Sequence, residues 1–315
     1  MTGIGTITVI GAGTMGHGIA ETFAIHGHAV RLFDPFPEMR GKARAAIAAE
    51  LELLAETGRI GPAAAADILA RIAFPEDLAE AVAGAEFVIE AIPEDIALKR
   101  ALFADLDRLC APGTILASNT SSLDLDDMIA ELPGARRADC MICHWYNPAH
   151  LVPLVELSDF GNMDPADLER VEALLQGCGK KTIRVLQNLP GLIANRIQQG
   201  IAREVFALIE SGAATPEDID AALKYGPAFR YATTGQLEIA DFGGIDIWCA
   251  VGDNLLPEIS AAQAASDLLR RKIAENKLGL KTGEGFFSYG EGRSAEITRD
   301  FHRRLIRQLA TIDDN

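Results

Sequence analysis

Near the start of the chain, Gly11-Ala12-Gly13-Thr14-Met15-Gly16 sets three glycines in a G-x-G-x-x-G spacing directly after the apolar run Ile7-Thr8-Val9-Ile10. Each glycine has a mechanical use. Gly11 permits a tight strand-to-helix turn, Gly13 lets the backbone approach a pyrophosphate, and Gly16 lets helix and sheet pack closely. A second apolar run, Ala29 to Phe33, ends at Asp34, eighteen residues past Gly16. A carboxylate there accepts hydrogen bonds from a ribose 2′-OH and repels a 2′-phosphate, so the spacing predicts a dinucleotide site for NAD rather than NADP. The phosphates would face a helix N-terminus, where backbone N–H groups and the helix dipole favour negative charge. Gly11, Gly13, Thr14, Met15, Gly16 and Asp34 are the expected cofactor residues.

Hydride transfer from an alcohol to NAD also requires loss of the hydroxyl proton, and imidazole, with an ordinary pKa of about 6.5, suits that step. In open α/β sheets ligands bind beyond the carboxyl ends of strands, so the polar residues that follow each apolar run are the candidates. Glu94 and Lys99 follow the run 87 to 92, Ser118-Asn119-Thr120-Ser121-Ser122 follows 114 to 117, and His144 and Asn147 follow 140 to 143. His144 is the candidate base. Glu156, the lone acid in the apolar segment 151 to 157, is the carboxylate that would orient it. On spacing alone His144 reads equally as a buried histidine satisfied by a backbone carbonyl, and Glu156 as a solvent-facing residue on an edge strand. Ser121 and Asn119 read equally as turn or cap residues. His150 lies in a turn, and His17, His26, His28 and His302 read as surface or cap residues.

The elements that must hold these groups alternate. Helical patterns over about 15–25, 37–57, 63–72, 96–110 and 124–132 separate the apolar runs, and a further helix opens at Asp164-Pro165 between strand candidates 151–157 and 182–186. From Pro190 onward the texture is helical, with Leu192 to Ile209, a segment opened by Thr215-Pro216-Glu217-Asp218, and Ala261 to Glu275. The predicted fold class is α/β: a Rossmann-type doubly wound sheet over residues 1–187, followed by a smaller all-helical domain over 188–315.

Composition excludes other classes. With 315 residues, 49% hydrophobic and 23% charged, the chain is globular and long enough for two cores. A formal net charge of −16 argues against nucleic acid and anionic membrane surfaces as partners. The opening Met-Thr-Gly-Ile-Gly-Thr has no cationic leader and no apolar stretch reaches a membrane span, so a cytoplasmic location is expected. Five cysteines, at 110, 140, 143, 178 and 249, read as reduced thiols. Cys140-Met141-Ile142-Cys143-His144 matches a c-type haem attachment pattern, but that chemistry needs export and an accessible loop, whereas this segment reads as a buried strand. No metal site is expected.

The glycine opening, Ser118 to Leu123, His144-Trp145-Tyr146-Asn147-Pro148, Leu154-Val155-Glu156-Leu157, Gly191-Leu192-Ile193-Ala194-Asn195-Arg196 and Lys281-Thr282-Gly283-Glu284-Gly285-Phe286 together resemble the L-3-hydroxyacyl-CoA dehydrogenase family. The resemblance implies a dimer formed through the helical domain and a site in the cleft between domains. It makes His144 the base and Glu156 its partner, sets Ser121, Asn147 and Asn195 near the substrate and the histidine, and sets Glu94 and Lys99 near the nicotinamide half of the cofactor. Asn119 is counted with the cofactor residues. Residues 46 to 80 depart from the coenzyme A pattern, being acidic and alanine-rich with Arg59 and Arg71 as the only bases. Trp145, the segment His150-Leu151-Val152-Pro153-Leu154 and Arg230-Tyr231-Ala232 look closer to relatives acting on small hydroxy acids such as gulonate, carnitine or hydroxymethylpyridine acids. Arg230 could grip a carboxylate bidentately, or form an ordinary surface salt bridge. The expected activity is NAD-dependent oxidation of a secondary alcohol β to a carboxyl group, favouring a small free 3-hydroxy acid. The alternatives are a 3-hydroxyacyl-CoA dehydrogenase and a non-catalytic NAD-binding structural protein such as those of lens.

Overall fold

In the computed structural model, which describes residues 3–290 and 292–313, the short apolar runs become the strands of one sheet. These are β1 (Thr6–Ile10), β2 (Ala29–Phe33), β3 (Ile72–Ala73), β4 (Phe87–Glu90), β5 (Ile115–Ser118), β6 (Cys140–Trp145), β7 (Leu154–Ser158) and β8 (Lys181–Arg184), in the spatial order β3-β2-β1-β4-β5-β6-β7-β8. All neighbours are parallel except β6 and β7. The connection between those two, residues 146–153, is too short for a crossover helix, so the chain must turn back on itself. Between strands run α1 (Gly16–Ile25), α2 (Pro37–Glu56), α3 (Ala64–Ala70), α4 (Leu78–Val82), α5 (Ile96–Leu109), α6 (Leu125–Ile129), α7 (Gly134–Arg137) and α8 (Pro165–Gly177). Asp95 caps α5 by accepting from Ala97 and Leu98 N–H, and Asp164 caps α8 with Pro165 behind it.

Helices on both faces explain why β4, β5 and β6 are buried along their whole length and apolar without alternation until the polar residues Glu90, Ser118 and His144 at or near their carboxyl ends. On one face Phe23 of α1 sits edge-on to both Phe87 and Trp145. On the other, Val88, Leu116 and Ile142 pack with Phe103, Leu106 and Met128. The chain leaves β1 in one direction, through β2 and β3, and resumes on its other side at β4, which makes the β1/β4 ends the topological switch point.

The sheet and its helices form a unit spanning Met1–Ile193, and Ala194–Asn315 form a second. The second contains α9 (Ala194–Glu210), α10 (Pro216–Tyr225), α11 (Pro227–Tyr231), α12 (Gln236–Gly243), α13 (Ile245–Leu255), α14 (Asp267–Ala274) and α15 (Ser294–Asp313). Local departures from expectation are few. β6 runs two residues past 143, the helix expected over 261–275 contracts to α14, and β3 is too short for periodicity to reveal. Among the described residues no helix is long and apolar enough to cross a membrane.

Candidate functional site

The glycine loop closes as its spacing requires. Gly11, with φ +96°, abuts the end of β4, and a Cβ there would lie 2.7 Å from the Ala91 carbonyl oxygen. A Cβ on Gly16 would lie 1.7 Å from the Gly11 oxygen, so only glycine lets α1 start where it does. At Gly13 no protein atom comes within 4 Å of a built Cβ, which leaves open space for a phosphate. Met15 caps α1 without a side-chain hydrogen bond, so no side chain of the cap competes with an anion there, although His17 N–H already donates to the Gly13 carbonyl at 3.4 Å. Asp34, at the end of β2, accepts from Ala12 N–H at 2.9 Å and from Phe36 N–H at 3.0 Å. It therefore stands beside the glycine loop, at the end of the strand that flanks β1 opposite β4. An open cradle, an uncapped helix and an edge carboxylate fit a dinucleotide with a free 2′-OH.

His144 and Glu156 face each other directly in the antiparallel register of β6 and β7, and His144 Nδ1 lies 2.8 Å from Glu156 Oε2. Both are buried. With Nδ1–H donating to the carboxylate, Nε2 keeps its lone pair, the form a general base needs. The other carboxylate oxygen accepts from Ile193 N–H at 2.9 Å, so Glu156 is held from two sides. The same 189–193 turn is tied to the loop after β5, because Gly191 N–H donates to the Ser121 carbonyl at 2.9 Å. Tyr146 stands edge-on to the imidazole at 5.6 Å between ring centres.

The loop Ser118–Ser122 is held by two acids. Glu90, the last residue of β4, accepts from Lys99 Nζ at 2.7 and 2.9 Å and from the Ser118 hydroxyl. Glu94 Oε1 accepts from the hydroxyls of Thr120 and Ser122 and from the N–H groups of Ser121 and Ser122. Burial pushes the Glu94 carboxyl upward, yet those bonds and the Lys99 charge hold it below the usual carboxylate range. Asn119 Oδ1 accepts from Trp145 N–H at 2.8 Å, joining the ends of β5 and β6 next to His144.

Two expected contacts are corrected. Trp145 is 1% exposed and lies under α1, with the Lys180 ammonium 4.9 Å from its ring centre. Adjacent strand residues point to opposite faces, so Trp145 packs in the core while His144 faces the other way, and no substrate reaches it. Lys99, also 1% exposed, is the counter-ion of Glu90 and Glu94 and not a direct cofactor contact. Of the other expected residues, Thr14 and Asn147 are exposed and Ser121 is half-buried, whereas Asn195 lies in the first turn of α9 in the second unit. Arg230 is exposed, with no ion pair among the described residues, beside Tyr231, Thr233 and Thr234.

Two of the histidines read as surface or cap residues also differ. His17 is half-buried, with Nδ1 2.7 Å from the Gly13 carbonyl and Nε2 3.3 Å from Glu50, and His302 is buried; His150, expected in a turn, has an enclosed side chain. Cys140 and Cys143 are fully buried and burial pushes both thiols up to about 12, which removes them from haem attachment. Sequence reasoning missed Glu90, although its signal was the one that marked Glu156, a lone acid inside an apolar strand. It also missed Glu21 and Glu50, whose helical positions carry no such mark.

Comparison with known proteins gives two adjoining matches. The NAD-binding domain of 3-hydroxyacyl-CoA dehydrogenase matches residues 6–189, and the C-terminal domain of the same family matches 191–289. The chain is 30% identical over 303 residues, 96% of each chain, to 5-formyl-3-hydroxy-2-methylpyridine 4-carboxylate 5-dehydrogenase of Mesorhizobium japonicum. It is 35% identical over 290 residues to a probable 3-hydroxybutyryl-CoA dehydrogenase of Bacillus subtilis, covering 91% of this chain and 98% of the relative. A crystal structure of the pyridine-carboxylate 5-dehydrogenase, described as an NAD+ dependent dismutase, superimposes with TM-score 0.87 at 28% identity, covering 98% of this chain and 97% of the other.

Proposed function

The chain belongs to the 3-hydroxyacyl-CoA dehydrogenase family, and from that premise we propose that this NAD-dependent dehydrogenase oxidises a secondary alcohol β to a carboxyl group, on a small free 3-hydroxy acid. The observation that carries the reading is the His144–Glu156 bond, which leaves one imidazole nitrogen free as a base in a buried site. NAD, when bound, supplies the hydride acceptor. His144 Nε2 takes the hydroxyl proton, and Glu156 steadies the imidazolium that results. Ser121, Asn147 and Asn195 orient the substrate and the histidine. Gly11, Gly13, Thr14, Met15 and Gly16 receive the pyrophosphate, Asp34 the ribose, and Glu94 and Asn119 border the nicotinamide end.

The preference for a free acid rests on charge. The 3′-phosphate of coenzyme A needs cationic partners, and of the two bases in residues 46–80 Arg71 is engaged with the Ala24 carbonyl at 3.0 Å. Arg230, with no ion pair of its own among the described residues, is the group we assign to the substrate carboxylate. The pyridine-carboxylate relative is consistent with that assignment, while the Bacillus relative supports the thioester as the second reading. A panel of free 3-hydroxy acids and 3-hydroxybutyryl-CoA, followed by NADH absorbance in the parent and in Arg230→Ala, separates them. Turnover of free acids that falls selectively in the variant supports the proposal; turnover confined to the thioester, or equal activity in both proteins, sinks it.

The finer expectations are a homodimer in the cytoplasm. Leu237, Phe242, Phe229, Tyr225, Ile245 and Leu256 of the second unit are all exposed, an apolar surface of the kind a partner subunit covers. Buried, unpaired Cys110, Cys140, Cys143 and Cys178 suit a reducing compartment. Light scattering should return twice the chain mass.

A further inference from the structure

Two acids and one lysine converge under the loop that follows β5. Glu90 is fully buried and receives Lys99 Nζ on both oxygens, the Ile92 N–H at 3.0 Å and the Ser118 hydroxyl. Ser118 Oγ in turn accepts from Thr120 N–H at 3.1 Å, and Asn119 N–H donates to the Glu90 carbonyl at 2.9 Å. Lys99 also lies 3.5 Å from Glu94, which gathers the hydroxyls of Thr120 and Ser122. The result is selective. Among the described residues the hydroxyls of Ser118, Thr120 and Ser122 are all committed to a carboxylate, whereas that of Ser121 makes no hydrogen bond.

A buried carboxylate that takes four hydrogen bonds from three donors, one of them its counter-ion, is rigid, because every alternative leaves a desolvated charge or an unpaired donor. Glu90 therefore sets where the loop begins and Glu94 where it turns. We infer that Glu90 is a positioning residue for the dehydrogenation: through Lys99, Ser118 and Thr120 it fixes the loop so that the Ser121 hydroxyl alone is presented to the substrate. This rests on the reading above that Ser121 touches the substrate. Displacing a substrate-orienting group by about 1 Å can cost about 10²-fold in rate, so a residue acting at this distance has leverage.

A double-mutant cycle tests it with the most active compound of the panel. Glu90→Gln keeps the volume and leaves Lys99 with Glu94, and it is combined with Ser121→Ala while kcat, KM and NAD affinity are measured. Each single change should lower kcat by about tenfold, the scale of one lost hydrogen bond, with NAD affinity little changed. The double variant should then be within about twofold of Ser121→Ala, because a misplaced group that is already absent costs nothing further. Losses that multiply, or an unaltered kcat in Glu90→Gln, overturn the inference and leave the role of Ser121 standing. Full activity in Ser121→Ala overturns the Ser121 assignment itself and the inference with it. Should Glu90→Gln fail to fold, Ser118→Ala breaks the same link while the ion pair stays, and the same cycle decides.

Discussion

His144 and Glu156 occupy directly opposed positions on β6 and β7, the one antiparallel pair of the sheet, with 2.8 Å between Nδ1 and Oε2. Opposed residues of neighbouring strands share a face, so the hairpin-like return of the chain is what brings acid and imidazole together.

His144→Ala should lower kcat by about 10² to 10⁴ while NAD still binds, as removal of a general base does. Glu156→Gln should be comparably severe, by up to about 10⁴, because an amide can donate to Nδ1 and leave the proton on Nε2, the wrong tautomer. Steady-state kinetics alongside NADH binding checks both. Turnover unchanged in either variant removes that residue from the chemistry.

Gly13→Ala and Gly16→Ala should fail differently. Open space surrounds Gly13, so its variant should keep the parent melting temperature but bind NAD about tenfold or more weakly, the scale of a lost charged hydrogen bond. At Gly16 the new Cβ meets the Gly11 oxygen at 1.7 Å, so the backbone must shift, with a stability loss of about 1–3 kcal/mol. Thermal melts and NAD titrations separate the two, and equal melting temperatures for both variants would contradict the packing argument.

Asp34→Ser should weaken NAD by about tenfold, since two N–H bonds and the ribose contact lose a charged acceptor. Discrimination against NADP should narrow at the same time, because the repulsion of a 2′-phosphate is gone. A ratio of kcat/KM values for the two cofactors that stays at the parent level would rule this out.

The His17–Glu50 pair predicts a pH window of stability. Burial draws His17 down, but the hydrogen bond and charge of Glu50 and the Gly13 carbonyl outweigh it, so its net shift is upward from 6.5. Burial pushes Glu50 up, but bonding to His17 and the nearby His150 and Glu21 leave it at about 2, well below 4.5. The raised histidine stabilises fully below pH 6.5 and loses that contribution as pH rises through its folded value. The depressed acid stabilises above pH 4.5 and loses it as pH falls toward about 2. The melting-temperature gap between the parent and Glu50→Gln should thus be widest between pH 4.5 and 6.5 and shrink on either side. A gap independent of pH would show that the pair does not titrate with folding.

How much could be read in advance differs from residue to residue. Gly11, Gly13, Gly16 and Asp34 declared themselves because their roles are local: a turn, a helix start and a strand end are set by neighbours in the chain, and residue type and spacing carry that information. The alternation of strands and helices was legible for the same reason. Pairings across strands were not. His144 and Glu156 could be nominated as residue types, but their opposition depends on β7 running antiparallel, which is decided by the length and path of the return after β6. Trp145 was misplaced because one step along β6 reverses the face, and only the packing of α1 shows which face is core. Lys99, Glu90 and Ser118 come from three separate segments, and nothing in any one of them marks the others. A buried charge is tolerated only where its partners are folded around it, so that network, and the single free hydroxyl it leaves at Ser121, exists only in the tertiary structure.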